Sequence, residues 1–153
     1  MYSSILIAYN GTVESCSALL ECIRLNPPAS TKIHLLAVTH PQDSFVTGEY
    51  GASPVSSTKN QMALAKQKLE KAAAEGSKLL QDAELQVETH VETGEPADVI
   101  SNMAERLGAD LVIVGHHRHK SWVQSWWRGS TDAVLLEKLH CTLMISADFP
   151  LGK

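Results

Sequence analysis

The chain has 153 residues, 44% of them hydrophobic, and a formal charge of −4. That length suits one domain over residues 1–153 with a core of its own, and the acidic balance argues against a surface built to neutralise nucleic-acid phosphates. No apolar run reaches the ~18 residues that a bilayer span requires, and no basic-then-apolar leader opens the chain, so the expectation is a cytoplasmic protein with no nucleic-acid partner and no membrane insertion.

Ile5, Leu6, Ile7 and Ala8 form an apolar run that stops at Asn10-Gly11-Thr12, the pattern of a strand followed by a turn and a helix cap. Ala18, Leu19, Cys22, Ile23 and Leu25 then recur at helical intervals until Pro27-Pro28 forbids continuation, which predicts a helix over residues 13–25. Residues 32–38 (K-I-H-L-L-A-V) supply a second strand, and its parallel return makes a right-handed βαβ unit. Residues 41–57 are rich in Ser, Gly, Pro and Thr without a sustained period, and read as a long surface loop, either a lid or disordered. Over residues 58–82 the composition turns to strong helix formers, with Met62, Ala65, Leu69, Ala72, Leu79 and Leu80 marking one face of the longest helix. Gly76 is where that helix could be interrupted, at about 1 kcal/mol relative to Ala.

Leu85, Val87, Thr89 and Val91 alternate with Gln86, Glu88 and His90, the period-two mark of a third strand with one wetter face. Gly94-Glu95-Pro96 sets a turn with proline near a helix start, and Val99, Ile100, Met103, Ala104 and Leu107 stripe a helix ended by Gly108. Leu111, Val112, Ile113 and Val114 run without interruption, as expected of a strand buried on both faces of a parallel sheet. A helix from Ser130 to about Leu139 and a fifth strand over residues 141–146 (Cys141-Thr142-Leu143-Met144-Ile145-Ser146) complete the series, before a frayed tail from Asp148. The string β-α-β-α-β-α-β-α-β predicts a Rossmann-like α/β fold, a five-stranded parallel sheet with helices on both faces.

In such sheets ligands are received beyond the carboxyl ends of the strands, which places Gly115 and the residues after it at the candidate site. Gly115 permits close backbone approach. At the other end of the loop, Gly129, Ser130 and Thr131 open a helix whose free N–H groups and positive dipole end suit an anion such as phosphate, although the same residues also make an ordinary cap. His116, His117 and Arg118, with Lys120 or Arg128, are placed to line the crevice and contact phosphate. His116, His117 and His119, with His40 and His90 elsewhere, raise the question of zinc; adjacent loop histidines converge poorly and no carboxylate or cysteine lies in that loop, so no metal site is expected. The chain's 3 tryptophans, Trp122, Trp126 and Trp127, gather in the same loop, where packing or contact with a protein partner is preferred over stacking on a base. Cys16, Cys22 and Cys141 show no CxxC spacing and read as reduced thiols. No P-loop, no G-x-S-x-G elbow and no carboxylate placed to hold magnesium in the loop is present, so no catalytic residue is assigned and hydrolysis is the minority reading.

The strand-Gly-loop-Gly-Ser-helix arrangement at Gly115 and Gly129-Ser130, the turn at Gly94-Glu95-Pro96 and the run A-D-L-V-I-V-G over residues 109–115 resemble the universal stress protein family, whose nucleotide-binding members carry G-x2-G-x9-G-[ST]. Here Arg118 stands at the second glycine, and 10 residues separate it from Gly129. The resemblance implies an adenine nucleotide alpha hydrolase-like fold and a stress-response regulatory protein that binds ATP or AMP as a sensor, with magnesium only alongside ATP. It maps the nucleotide onto Asn10 and Gly11, where nucleotide-binding relatives end strand one in aspartate, and onto Ala37 and Val38, whose main chain would meet the adenine. The phosphates map onto Gly115, His116, His117, Arg118, Gly129, Ser130 and Thr131. The Gly115-His116-His117 opening is similar to the branch of the family that does not bind ATP. That branch implies an alternative, a nucleotide-free stress or scaffold protein acting through protein partners; a weak ATPase is the other alternative. The apolar run Leu143-Met144-Ile145 at a sheet edge predicts a homodimer through the strand Cys141 to Ser146, which is also how the family's dimers look.

Overall fold

A computed structural model describes residues 1–39, 56–116 and 131–147, with side chains described throughout apart from residues 13, 14, 56–59, 116, 131–133 and 147. In chain order the elements are β1 (Ser4–Tyr9), α1 (Val13–Leu25), β2 (Lys32–Thr39), α2 (Ser56–Asp82), β3 (Val87–Thr93), α3 (Pro96–Arg106), β4 (Leu111–His116), α4 (Thr131–Lys138) and β5 (Thr142–Ala147). All five strands are parallel, in the order β3-β2-β1-β4-β5.

Strand periodicity divides the core in two. Ile5, Ile7, Ile33, Leu35, Leu111 and Ile113 face α1 and α2, where they meet Ala18, Leu19, Cys22 and Leu80. Leu6, Ala8, Leu36, Val38, Val112 and Val114 face the other way, onto Ala97, Ile100, Met103 and Ala104 of α3 and Leu135 of α4. Both sides of β1 and β4 are thereby sealed, which is why these strands read as unbroken apolar runs. Local chemistry sets the helix ends. Thr12 caps α1 by accepting the Ser15 N–H, Asn26 closes it in the left-handed region at φ 48°, and Pro96 occupies the first turn of α3, where a missing N–H costs nothing.

The structure departs from expectation chiefly at α2 and β3, while β2 and β5 shift by one residue. α2 begins at Ser56, two residues inside the stretch assigned to a loop, and the remainder of that loop lies outside the described residues. α2 also runs through Gly76 unbroken, because Gly76 lies where the helix crosses the sheet: an added Cβ would stand 3.0 Å from the Tyr9 ring and 3.3 Å from both Leu19 and Leu35. β3 starts at Val87 instead of Leu85, since the Leu85 N–H turns back to the Leu80 carbonyl and closes α2, with Glu84 at φ 64°. Being at the sheet edge, β3 has Val87, His90 and Val91 only half buried, and its wetter character is spread over both faces.

Candidate functional site

The ladder between β1 and β4 runs from Ile5↔Leu111 to Ile7↔Ile113 and stops. Beyond it β1 continues against β2 as far as Tyr9↔Ala37, and β4 continues against β5 as far as His116↔Ala147. The two central strands, whose connections leave in opposite directions across the sheet, are therefore unpaired with each other at their carboxyl ends. This is the topological switch point where α/β sheets of this kind receive ligands.

Asn10 and Gly11 lie on the β1 rim of that opening. The Asn10 Oδ1 accepts from the Thr12 N–H at 3.1 Å and the Thr12 hydroxyl at 2.6 Å, and the Asn10 N–H donates to the Ser15 hydroxyl at 3.3 Å. The turn is thus held by its own side chains, with the Asn10 Oδ1 committed within it. Gly11 sits at φ 84°, where a Cβ would be 2.8 Å from the Ala72 Cβ of α2, so glycine is required there by the passage of the helix overhead. The side chains of Ala37 and Val38 are sealed, Ala37 against Leu69 and Ala73 and Val38 in the α3 side of the core. Gly115 is buried and paired with Ser146. The end of β5 is anchored to α1 by reciprocal bonds, the Ser17 hydroxyl donating to the Ser146 carbonyl at 3.3 Å and the Ser146 hydroxyl to the Ser17 carbonyl at 3.2 Å.

Thus Asn10, Gly11, Ala37, Val38 and Gly115 are brought to the carboxyl end of the sheet, with His116 closing β4 and Thr131 opening α4 as backbone positions. His117, Arg118, Gly129 and Ser130 lie outside the described residues, as do His40, His119, Lys120, Arg128 and the tryptophans. Tyr9, which the sequence did not mark, is 7% exposed beneath α2; burial pushes its phenol up, with Cys16 and Glu75 adding to the effect.

A second cluster was not expected. His34 of β2 and Glu88 and His90 of β3 bring three ligand-type atoms within 4.8 Å of one another. The His34 Nδ1 and His90 Nε2 are 3.1 Å apart, and the Glu88 carboxylate lies 3.7 Å from the first and 4.0 Å from the second. Burial holds His34 below the usual histidine range, His90 adds to this, Glu88 opposes it and Lys32 reinforces it. The signal available in sequence was Glu88-x-His90 on one face of a strand, with His34 on the strand before it.

Among the described residues no helix is long and apolar enough to cross a membrane. Residues 1–146 match the model of the universal stress protein family. By structure the chain is similar to the hypothetical protein MJ0577, at 16% identity over 98% of this chain and 99% of that one, with a TM-score of 0.78. It is similar also to a universal stress protein family protein of Arabidopsis thaliana with AMP bound (19% identity, 97% and 93% covered, TM-score 0.69). A universal stress protein in complex with cAMP matches at 15% identity over 97% and 98% of the two chains, with a TM-score of 0.65. At these identities the likeness is one of fold.

Proposed function

We propose that this chain, which belongs to the universal stress protein family, is a stress-response sensor of adenine nucleotide that takes ATP or AMP into the opening between β1 and β4. The observation that carries the reading is the end of the β1–β4 ladder at Ile7↔Ile113, with Asn10 on one rim and Gly115 on the other. AMP bound to the Arabidopsis thaliana protein and cAMP bound to another relative support it. In this reading the Asn10 amide and the main chain of Ala37 and Val38 meet the base or ribose. Gly115, Gly129, Ser130 and Thr131 surround the phosphates at the start of α4, with His116, His117 and Arg118 beside them, and magnesium accompanies ATP alone. The protein works in the cytoplasm as a homodimer through β5, with the loop bearing Trp122, Trp126 and Trp127 available to a protein partner.

One observation favours a second reading, a nucleotide-free stress or scaffold protein: both lone pairs of the Asn10 Oδ1 are already used within the turn, where a charged side chain is expected of nucleotide-binding relatives. Calorimetric titration with ATP, with and without magnesium, and with AMP separates the two. Binding should appear, and Gly129→Val should remove it, because a β-branched side chain would intrude where backbone must approach phosphate. No heat and no thermal shift at about 1 mM ligand, a concentration that detects even weak binding, leaves the nucleotide-free reading standing. Phosphate release from ATP would identify a weak ATPase.

A further inference from the structure

We propose that His34, Glu88 and His90 form a binding site for a divalent transition-metal ion of the zinc class, built on the β2–β3 ladder and separate from the nucleotide opening. Parallel pairing sets His34 directly opposite Glu88, and His90 follows Glu88 by two residues. All three side chains therefore rise from one face of the sheet, the face that α3 covers at Leu36 and Val38. Strand register fixes three backbone positions, so little ordering remains to be done by the ion. Two ligands on tetrahedral zinc stand about 3.4 Å apart, given Zn–N and Zn–O bonds of about 2.1 Å. The two histidine nitrogens are 3.1 Å apart and need to open by only about 0.3 Å, while the Glu88 carboxylate, with Oε2 3.7 Å from His34 and Oε1 4.0 Å from His90, comes to that figure by rotation of its exposed side chain.

His34 is the element hardest to explain otherwise. It is 6% exposed and occupies the position in β2 equivalent to Leu36 and Val38 two and four residues on, yet it presents an imidazole. A single hydrogen bond to His90 satisfies one of its nitrogens; two imidazoles and a carboxylate converging on a common point is also the ligand set of many open zinc sites, in which three protein groups leave a fourth position to solvent or a small ligand. That position has access here, because His34 and Glu88 both line a groove of ≈ 710 Å³ that reaches Thr31, Gln86 and Arg106. Electrostatics select the ion. Among the described residues one carboxylate serves the site, and Lys32 and Arg106 line the same groove. Magnesium and calcium, which need several oxygen ligands, are excluded, whereas zinc, nickel or copper gain from the imidazoles. The site lies about 10 Å down β2 from Ala37 at the strand rise, so its presence does not depend on nucleotide binding.

The test uses the full chain without a histidine tag, titrated with zinc in a calorimeter and with cobalt by visible absorption. One ion per chain should bind with a dissociation constant of about 10 µM or tighter, unaffected by about 5 mM magnesium. His90→Gln and Glu88→Gln, each at an accessible side chain, should weaken it by at least about tenfold, the lower end of what even supporting residues of metal sites contribute. The combined variant His116→Ala, His117→Ala, His119→Ala should bind as the wild type does. Circular dichroism confirms that each variant is folded, and Glu88→Gln alone decides the matter if His90→Gln is not. Zinc binding weaker than about 100 µM, or binding abolished by the combined loop variant and unmoved by Glu88→Gln, overturns the proposal and leaves a histidine pair joined by a hydrogen bond.

Discussion

Asp110 shows how one side chain can reinforce the join of the two central strands where their ladder begins, beside its own N–H bond to the Ser4 carbonyl. Its carboxylate accepts from the Ser3 N–H and hydroxyl, both at 2.8 Å, and from the Ser4 N–H at 3.0 Å, tying the start of β1 to the residue before β4. The Ser3 backbone bond holds the carboxyl below its ordinary 3.8, partial desolvation opposes this, and the Ser4 N–H and Ser3 hydroxyl add to it. A carboxyl whose folded pKa is depressed stabilises the fold above its unfolded pKa, and that contribution is lost as pH falls through the folded value. Asp110→Ala should therefore cost about 1–2 kcal/mol in urea unfolding at neutral pH, the low part of the range for bonds to a charged acceptor because solvent reaches it. The gap to the wild type should close as pH drops below 3.8; a gap that stays constant would mean the charge is irrelevant. Thiol chemistry offers a second check. Burial pushes the Cys22 thiol up to about 12, while Cys16 and Cys141 are only half buried. Alkylation of the native protein near pH 8, where exposed thiols react as thiolates, should leave Cys22 for last by mass spectrometry, and early labelling of Cys22 would show that α1 opens. At this scale the sequence was legible for identity and silent on partners. His90 stood out as a histidine, yet its neighbours His34 and Glu88 depend on the β2–β3 register, which local pattern does not specify.

Among the elements, α2 shows why periodicity finds a helix and misjudges its glycine. Propensity counts Gly76 only as a weak helix former, whereas the sheet beneath needs a position with no side chain. Gly76→Leu should destabilise by about 1–3 kcal/mol despite better helix propensity, because overpacking forces the Tyr9 ring, Leu19 and Leu35 to move. Chemical denaturation with an unchanged m-value would measure it, and a neutral or stabilising result would place the helix farther from the sheet than described. The same competition between local and tertiary signals explains the shift of β3. Leu85 fits the alternation of a strand as well as Val87 does, but its N–H is used to close α2. The apolar runs Ile5 to Ala8 of β1 and Leu111 to Val114 of β4 were legible because burial on both faces leaves no polar position to mislead. Of the candidate site, the strand ends could be read for the same reason: Asn10 and Gly115 are where apolar runs stop.

For the whole molecule, the two sheet edges differ, and the difference argues for how copies of the chain would meet. β3 carries Glu88 and Glu92 and half-buried faces, the dress of an edge that stays solvated, whereas β5 has no charged residue and places Ile145 42% exposed at its rim. Sequence alone anticipated β5 at a sheet edge, and the order found, β3-β2-β1-β4-β5, puts it there. A homodimer formed by antiparallel pairing of β5 with its copy would satisfy the outer N–H and C=O groups through a closed two-fold contact. The ladder tells which groups these are. The Thr142 N–H bonds the Asp110 carbonyl, so with strand alternation the N–H groups of Met144 and Ser146 also point to β4 and those of Leu143 and Ile145 point outward. Ile145→Pro removes an outward donor and should yield a folded monomer by light scattering at about 50 µM, well above the dissociation constant of a stable dimer. Met144→Pro instead breaks the ladder to β4 and should lower the melting temperature whatever the oligomeric state. A wild type that is monomeric at that concentration would sink the dimer, and a dimer indifferent to Ile145→Pro would move its interface away from β5.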